Sequence, residues 1–131
     1  MNQVAKGTFL VKLLPLPFES QPDPSSLGRM SIDKQIVGDL VANTSGQMLS
    51  ASTDVKGSAG YVAIERVEGI LQGRKGTFVL QHTGTMNRGV PSLSVTVVPD
   101  SGTDALIGLV GNFEIIRAVG KHSYEFNYSL P

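Results

Sequence analysis

Few side chains in this sequence are equipped for chemistry. Two stand out, a carboxylate and an imidazole on successive arms of one hairpin. Glu65 belongs to the alternating set Tyr61, Ala63, Glu65 and Val67. A carboxylate held among apolar neighbours binds its proton more tightly and can serve as a general acid or base. His82 shares a strand face with Phe78 and Leu80, where an imidazole can act as a base or orient a ligand. Each has a plainer role open to it. Glu65 would be an exposed charge or the partner of an arginine if its face looked outward. His82 would be a buried histidine satisfied by a backbone carbonyl, or a residue at the mouth of its strand. Because Val62 and Ile64 make the opposite face equally apolar, the pattern leaves the inward face open.

The remaining motifs carry less. His122 is far from His82 in sequence, with no His-x-His or His-x-x-x-His spacing and no cysteine, so no metal site is expected. Asp100-Ser101-Gly102-Thr103 sets a hydroxyl beside a carboxylate, but a serine nucleophile needs a base, an oxyanion hole and usually a Gly-x-Ser-x-Gly elbow. Pro99-Asp100-Ser101-Gly102-Thr103 reads instead as a turn. Gly69 to Thr77 has glycines, a lysine and a threonine, but Gly76 separates Lys75 from Thr77 and the segment joins two strands. A phosphate-binding loop is therefore rejected.

The elements that would position Glu65 and His82 are strands. Gly60 to Gly84 reads as one long β-hairpin, GYVAIERVEGILQGRKGTFVLQHTG, with its tip at Arg74-Lys75. The dominant period along the chain is two. Phe9, Val11 and Leu13 share one face of a first strand; Met30, Ile32, Lys34 and Ile36 share a face of the second. Residues 15–28 contain Pro15, Pro17, Pro22 and Pro24 and are expected to form a loop packed on the barrel through Leu16, Phe18 and Leu27. Gly38 to Ala42 continues or bends the second strand, Asn43 to Gly46 is a turn by composition, and Gln47 to Val55 is a third strand, followed by a turn at Gly57 to Gly60. Leu93, Val95 and Val97 mark a further strand. One helical turn is expected within Asp100 to Leu106, capped by Asp100 or Ser101. A final hairpin, Ile107 to Arg117 and His122 to Leu130, turns around Gly120. On its second arm Tyr124, Phe126 and Tyr128 line one face, suited to a core or a subunit contact. About seven or eight strands with regular turns predict an all-β sandwich or, since closure removes exposed edges, a single closed antiparallel barrel.

Composition sets the outer bounds. A chain of 131 residues without cysteine is expected to be one domain that buries a core without disulfides. Eleven basic and eleven acidic residues cancel, which argues against a nucleic-acid partner. No stretch reaches the ~18 apolar residues of a membrane-spanning helix, and the amino terminus begins with a strand-like pattern, so no signal peptide and a cytoplasmic location are expected.

Across nearly the whole chain the sequence also resembles a family of small bacterial proteins of unknown function with an allene-oxide-cyclase-like, calycin-like barrel. The resemblance rests on Gly38-Asp39-Leu40, Gly60 to Val67, Gly76 to His82, Val98 to Thr103, Leu109-Val110-Gly111 and His122 to Phe126. It implies an antiparallel barrel of about eight strands and a self-associating protein, a dimer by default. It implies no established activity, and no cyclase motif is present to carry over.

Three functions are compatible with these residues. The barrel is expected to bind a small lipophilic molecule, with Tyr61, Glu65 and His82 as polar lining and Phe78 and Phe126 as apolar walls. Alternatively it is a cofactor-independent cyclase or isomerase in which Glu65 or His82 moves a proton, or an oligomeric structural protein without a ligand. The first two require a cavity of about 300 Å³ or more.

Overall fold

The computed structural model describes residues 2–18, 26–118 and 120–131. Eight strands run in chain order: β1 (Asn2–Leu16), β2 (Leu27–Gly38), β3 (Leu40–Ser52), β4 (Ala59–Leu71), β5 (Arg74–Asn87), β6 (Val90–Val97), β7 (Val110–Ala118) and β8 (Lys121–Ser129). Each pairs antiparallel with the next, and β8 returns to β1 to close the barrel. Closure leaves every strand a neighbour on both sides, which is the physical answer to eight apolar-striped strands with little helix to cover them.

Alternation decides what faces inward. On β4 and β5 the buried set is Ala63, Glu65, Val67, Phe78, Leu80 and His82, while Val62 and Ile64 stand outside, 50% and 53% exposed. The face left open by the sequence is thus the one that carries the titratable groups. The aromatics of β8 also point inward. Phe78 stacks on Phe126 with ring centres 5.7 Å apart, and Phe113 stacks on Tyr124 at 5.0 Å. These rings fill one end of the barrel together with Leu40, Leu71, Leu106 and Leu109. The Tyr124 hydroxyl donates to the Val37 carbonyl at 2.8 Å and accepts from the Leu40 amide at 3.1 Å, tying down the β2–β3 turn. At the other end, Met30, Met48 and Tyr61 are half-buried and Leu13 and Leu93 are exposed.

Several boundaries differ from the sequence reading. Asn43 to Gly46 is not a turn but the middle of β3, paired on one side with β2 and on the other with β4. The turn lies at Gly38–Asp39, where Gly38 takes φ +104°. Pairing on both edges overrides the turn-like composition, and Gly46 is small for a different reason: a Cβ there would stand 2.1 Å from the Ile64 carbonyl oxygen. The third strand accordingly covers Leu40–Ser52 rather than Gln47 to Val55, and the turn before β4 ends at Ser58 rather than Gly60. Within the expected loop 15–28, Pro15 and Leu16 belong to β1 and Leu27 and Gly28 to β2; proline is tolerated there at the strand's end. Residues 19–25 of that loop lie outside the described residues. The helical turn is a short 3₁₀ segment at Asp104–Leu106, preceded by Thr103 and without a side-chain cap. Ser101 is occupied elsewhere, its hydroxyl accepting the Val79 amide at 3.1 Å.

Candidate functional site

A polar cluster interrupts the apolar interior at mid-height. Glu65, His82, Lys34 and Thr44 are 0%, 1%, 4% and 7% exposed. They come from β4, β5, β2 and β3, four consecutive strands whose inward positions meet at one level. His82 faces Ala63 across the β4–β5 ladder, one inward step from Glu65.

Glu65 is the hub. Its Oε1 lies 3.1 Å from Lys34 Nζ and 2.9 Å from His82 Nε2, and its Oε2 accepts the Thr44 hydroxyl at 2.5 Å. Thr44 in turn accepts the Lys34 backbone amide at 2.9 Å. That bond falls where the β2–β3 register passes from Ile32↔Gly46 to Gln35↔Asn43, so a side-chain hydroxyl serves an amide inside the sheet. Lys34 Nζ also sits 4.9 Å from the centre of the Phe9 ring and 5.6 Å from that of Phe113, within the range of cation–π attraction. Burial pushes the Glu65 carboxyl toward its neutral form. The hydrogen bond from His82, the Lys34 charge and the Thr44 hydroxyl together outweigh burial and hold it below the usual carboxylate range.

A carboxylate only accepts, so His82 presents its Nε2 proton to Glu65. In the neutral imidazole Nδ1 is then an acceptor. It faces the Tyr61 hydroxyl at 3.4 Å, with the two rings 6.2 Å apart and tilted by 54°. Burial raises the Tyr61 pKa, the Arg117 charge opposes that rise and the Glu65 charge adds to it. Tyr61 therefore remains a hydroxyl in the neutral range. Its position is set by Gly84, its cross-strand partner: a Cβ on Gly84 would stand 2.4 Å from the Tyr61 ring. Glu65, His82 and Tyr61 thus form a chain that starts deep in the barrel and ends at the half-buried side. Such a chain can fix an imidazole tautomer, accept a proton at Nδ1 or offer a hydroxyl to a bound molecule.

Of the residues singled out in the sequence, Tyr61, Glu65 and His82 come together. Phe78 and Phe126 are fully buried in the stacked aromatic core. His122 is stacked on Phe9 at 5.3 Å, and its side chain is separate from the Glu65 hydrogen bonds. Lys34 and Thr44 were not among the candidates. The signal for Lys34 was present, since it interrupts the apolar face Met30, Ile32, Ile36; Thr44 was hidden by the assignment of its segment to a turn. Among the described residues no group of three or more His, Cys, Asp or Glu side chains is placed to hold a metal ion, and no helix is long and apolar enough to cross a membrane.

One stretch of the wall is loosely joined. Between β6 and β7 the ladder has a single pair, Thr96↔Asn112. Beyond it the strands part around a cavity of about 430 Å³ lined by Leu93, Ser94, Val95, Asn112, Phe113, Glu114 and Ile115. Phe78 and Phe126 do not line this groove, which is open to solvent along its outer side.

Comparison with known proteins places these features in a family context. A family described as "Protein of unknown function (DUF3224)" matches residues 5–128. A crystal structure of a protein with unknown function from the same family, from Shewanella oneidensis MR-1, superposes with a TM-score of 0.94 at 47% sequence identity, covering 100% of this chain and 98% of that one. No curated protein matches the chain.

Proposed function

The chain belongs to the DUF3224 family of proteins of unknown function, and we propose that its barrel binds a small, largely apolar molecule whose polar group meets Tyr61 and His82. One observation carries this reading. His82 is buried with Nε2 fixed on Glu65 and Nδ1 turned toward the half-buried Tyr61. The Tyr61 end of this chain is the less buried one, so its hydroxyl and the imidazole behind it are the polar groups nearest the half-buried end of the barrel. Charged groups kept from water are costly unless tightly paired, and this set is paired so that the chain ends on the Tyr61 hydroxyl, which keeps acceptor capacity at the less buried end. The surrounding side chains are apolar, as in small-molecule sites where a few convergent polar groups fix orientation.

The test is recovery of the ligand. Protein purified without refolding is extracted with organic solvent and the extract analysed by mass spectrometry, beside the Tyr61→Phe and His82→Ala proteins. A compound enriched with the wild type and depleted in both variants supports the reading. An extract that is the same for all three proteins rejects it and leaves a barrel whose function is structural, with its outer face as the contact between copies.

The fixed tautomer also favours a second reading, a cofactor-independent isomerase or cyclase in which His82 Nδ1 takes a proton from the bound molecule. The two separate kinetically once a ligand is known. In a binder, Glu65→Gln and His82→Ala lower affinity; in an enzyme they remove turnover while binding persists.

A further inference from the structure

We infer that the parted seam between β6 and β7 is the passage by which small molecules reach His82, an inference that deepens the binding reading above and rests on it for the identity of the cargo. Three observations converge. The seam is the weakest join of the wall, held by the single pair Thr96↔Asn112, whereas β5 pairs with β6 from Leu80↔Val97 to Asn87↔Val90 and β7 with β8 from Val110↔Ser129 to Ala118↔Lys121. A groove of about 430 Å³, open to solvent on its outer side, occupies the gap. Its inner wall is also the wall of the polar cluster: Val95 is the cross-strand partner of His82, and the Phe113 ring lies 5.6 Å from Lys34 Nζ.

The lining grades from outside to inside. Ser94, Asn112 and Glu114 are exposed at the lip, while Val95 and Phe113 are buried behind them. Such a throat passes a slender apolar molecule and lets its polar group remain solvated until it meets His82. Movement there breaks few backbone hydrogen bonds, so opening of this seam lies at the low-energy end of local motion in the barrel. Access through the opposite walls would require opening ladders such as β3–β4, paired from Leu40↔Leu71 to Ser52↔Ala59; the competing route is the barrel end at Tyr61, where Met30 and Met48 are half-buried, and a His82 whose reactivity ignores the seam would assign access to that end.

The passage can be tested without knowing the ligand. Diethyl pyrocarbonate, a small uncharged reagent, acylates an unprotonated imidazole nitrogen, and the chain has two histidines. His82 reports access to the buried cluster, and the partly exposed His122 is the internal control. Ser94 and Glu114 lie two residues beyond the Thr96↔Asn112 pair on their respective strands, so Ser94→Cys with Glu114→Cys sets two thiols at facing register positions across the gap of a chain that has no other cysteine, to be oxidised to a disulfide. We expect oxidation to slow modification of His82 by about tenfold or more, as closing a local opening should, with the rate restored by reductant and His122 unchanged. Where the pair does not close, Ser94→Cys capped with N-phenylmaleimide obstructs the same lip and should slow His82 likewise. Equal His82 rates with the seam clamped or plugged and with it free would overturn the inference, as would a His82 that resists the reagent in the native wild type. A seam-dependent His82 in a protein that never yields a ligand on extraction would retain the passage and remove the binding reading, so the two failures are distinct.

Discussion

Lys34 and Glu65 form an ion pair of 3.1 Å with both side chains withdrawn from water, 2% and 0% exposed. Pairs of this kind are poor sources of net stability, but breaking one strands the other charge. Glu65→Gln and Lys34→Met should each destabilise the barrel by about 3–5 kcal/mol. The double substitution should cost less than the two single changes added together, because it leaves no orphan charge. Urea unfolding of the four proteins measures this. Additive losses would show that the two groups are not coupled.

Stability should also depend on acid through Glu65. Its pKa in the folded protein is depressed, since the donors from His82, Lys34 and Thr44 prevail over burial. Folding therefore favours the ionised carboxyl. The contribution is fully present above the unfolded-state value of about 4.3 and is lost as pH falls through the folded value. Unfolding free energies measured from about pH 7 to about pH 3 should decline more steeply for the wild type than for Glu65→Gln. Parallel curves would assign acid sensitivity to other carboxylates.

The Tyr61–Gly84 contact gives a prediction about geometry rather than stability alone. In Gly84→Ala the new methyl would meet the ring at 2.4 Å, so Tyr61 must move off His82, with an overpacking cost of about 1–3 kcal/mol. Gly60→Ala is the control, because its nearest neighbour is 3.7 Å away. The Tyr61 ring and His82 Nδ1 resonances should shift in the first variant and hold in the second. Unchanged resonances in Gly84→Ala would mean that glycine is not what seats Tyr61.

Tyr124 anchors the closed end. Tyr124→Phe removes the acceptor of the Leu40 amide and the donor to Val37. A loss of about 1–3 kcal/mol is expected from the unsatisfied amide, with the Glu65–His82 pair undisturbed. Slower exchange protection should vanish first at Leu40. A loss of protection concentrated at the Glu65 level would show that the two ends of the barrel are not independent.

Much of this architecture was legible because strands announce themselves by alternation. The shared faces Phe9–Val11–Leu13, Met30–Ile32–Lys34–Ile36 and Tyr124–Phe126–Tyr128 are recognisable from period two alone. The inward face of β4 was not, since Val62 and Ile64 are as apolar as Ala63 and Val67, and only the closed ladder decides between them. Asn43 to Gly46 misled for a related reason. Its polar residues are the ones turns prefer, yet Thr44 is polar to serve Glu65 and Gly46 is small to let β4 approach. The site was half legible: Glu65 and His82 carry reactive groups in plain view, whereas the contribution of Lys34 and Thr44 depends on strand register, which no local pattern encodes. The β6–β7 seam is likewise a property of a missing ladder, invisible in the residues of either strand.

Ligand binding is tested most simply by a crystal structure of protein purified without refolding, inspected for density beside Tyr61 and His82. A bound molecule is expected whose polar atom lies within hydrogen-bonding distance of the Tyr61 hydroxyl or His82 Nδ1. A barrel end closed over by its own Leu13, Met30 and Met48 side chains, with nothing bound between them and Tyr61, would contradict the binding reading.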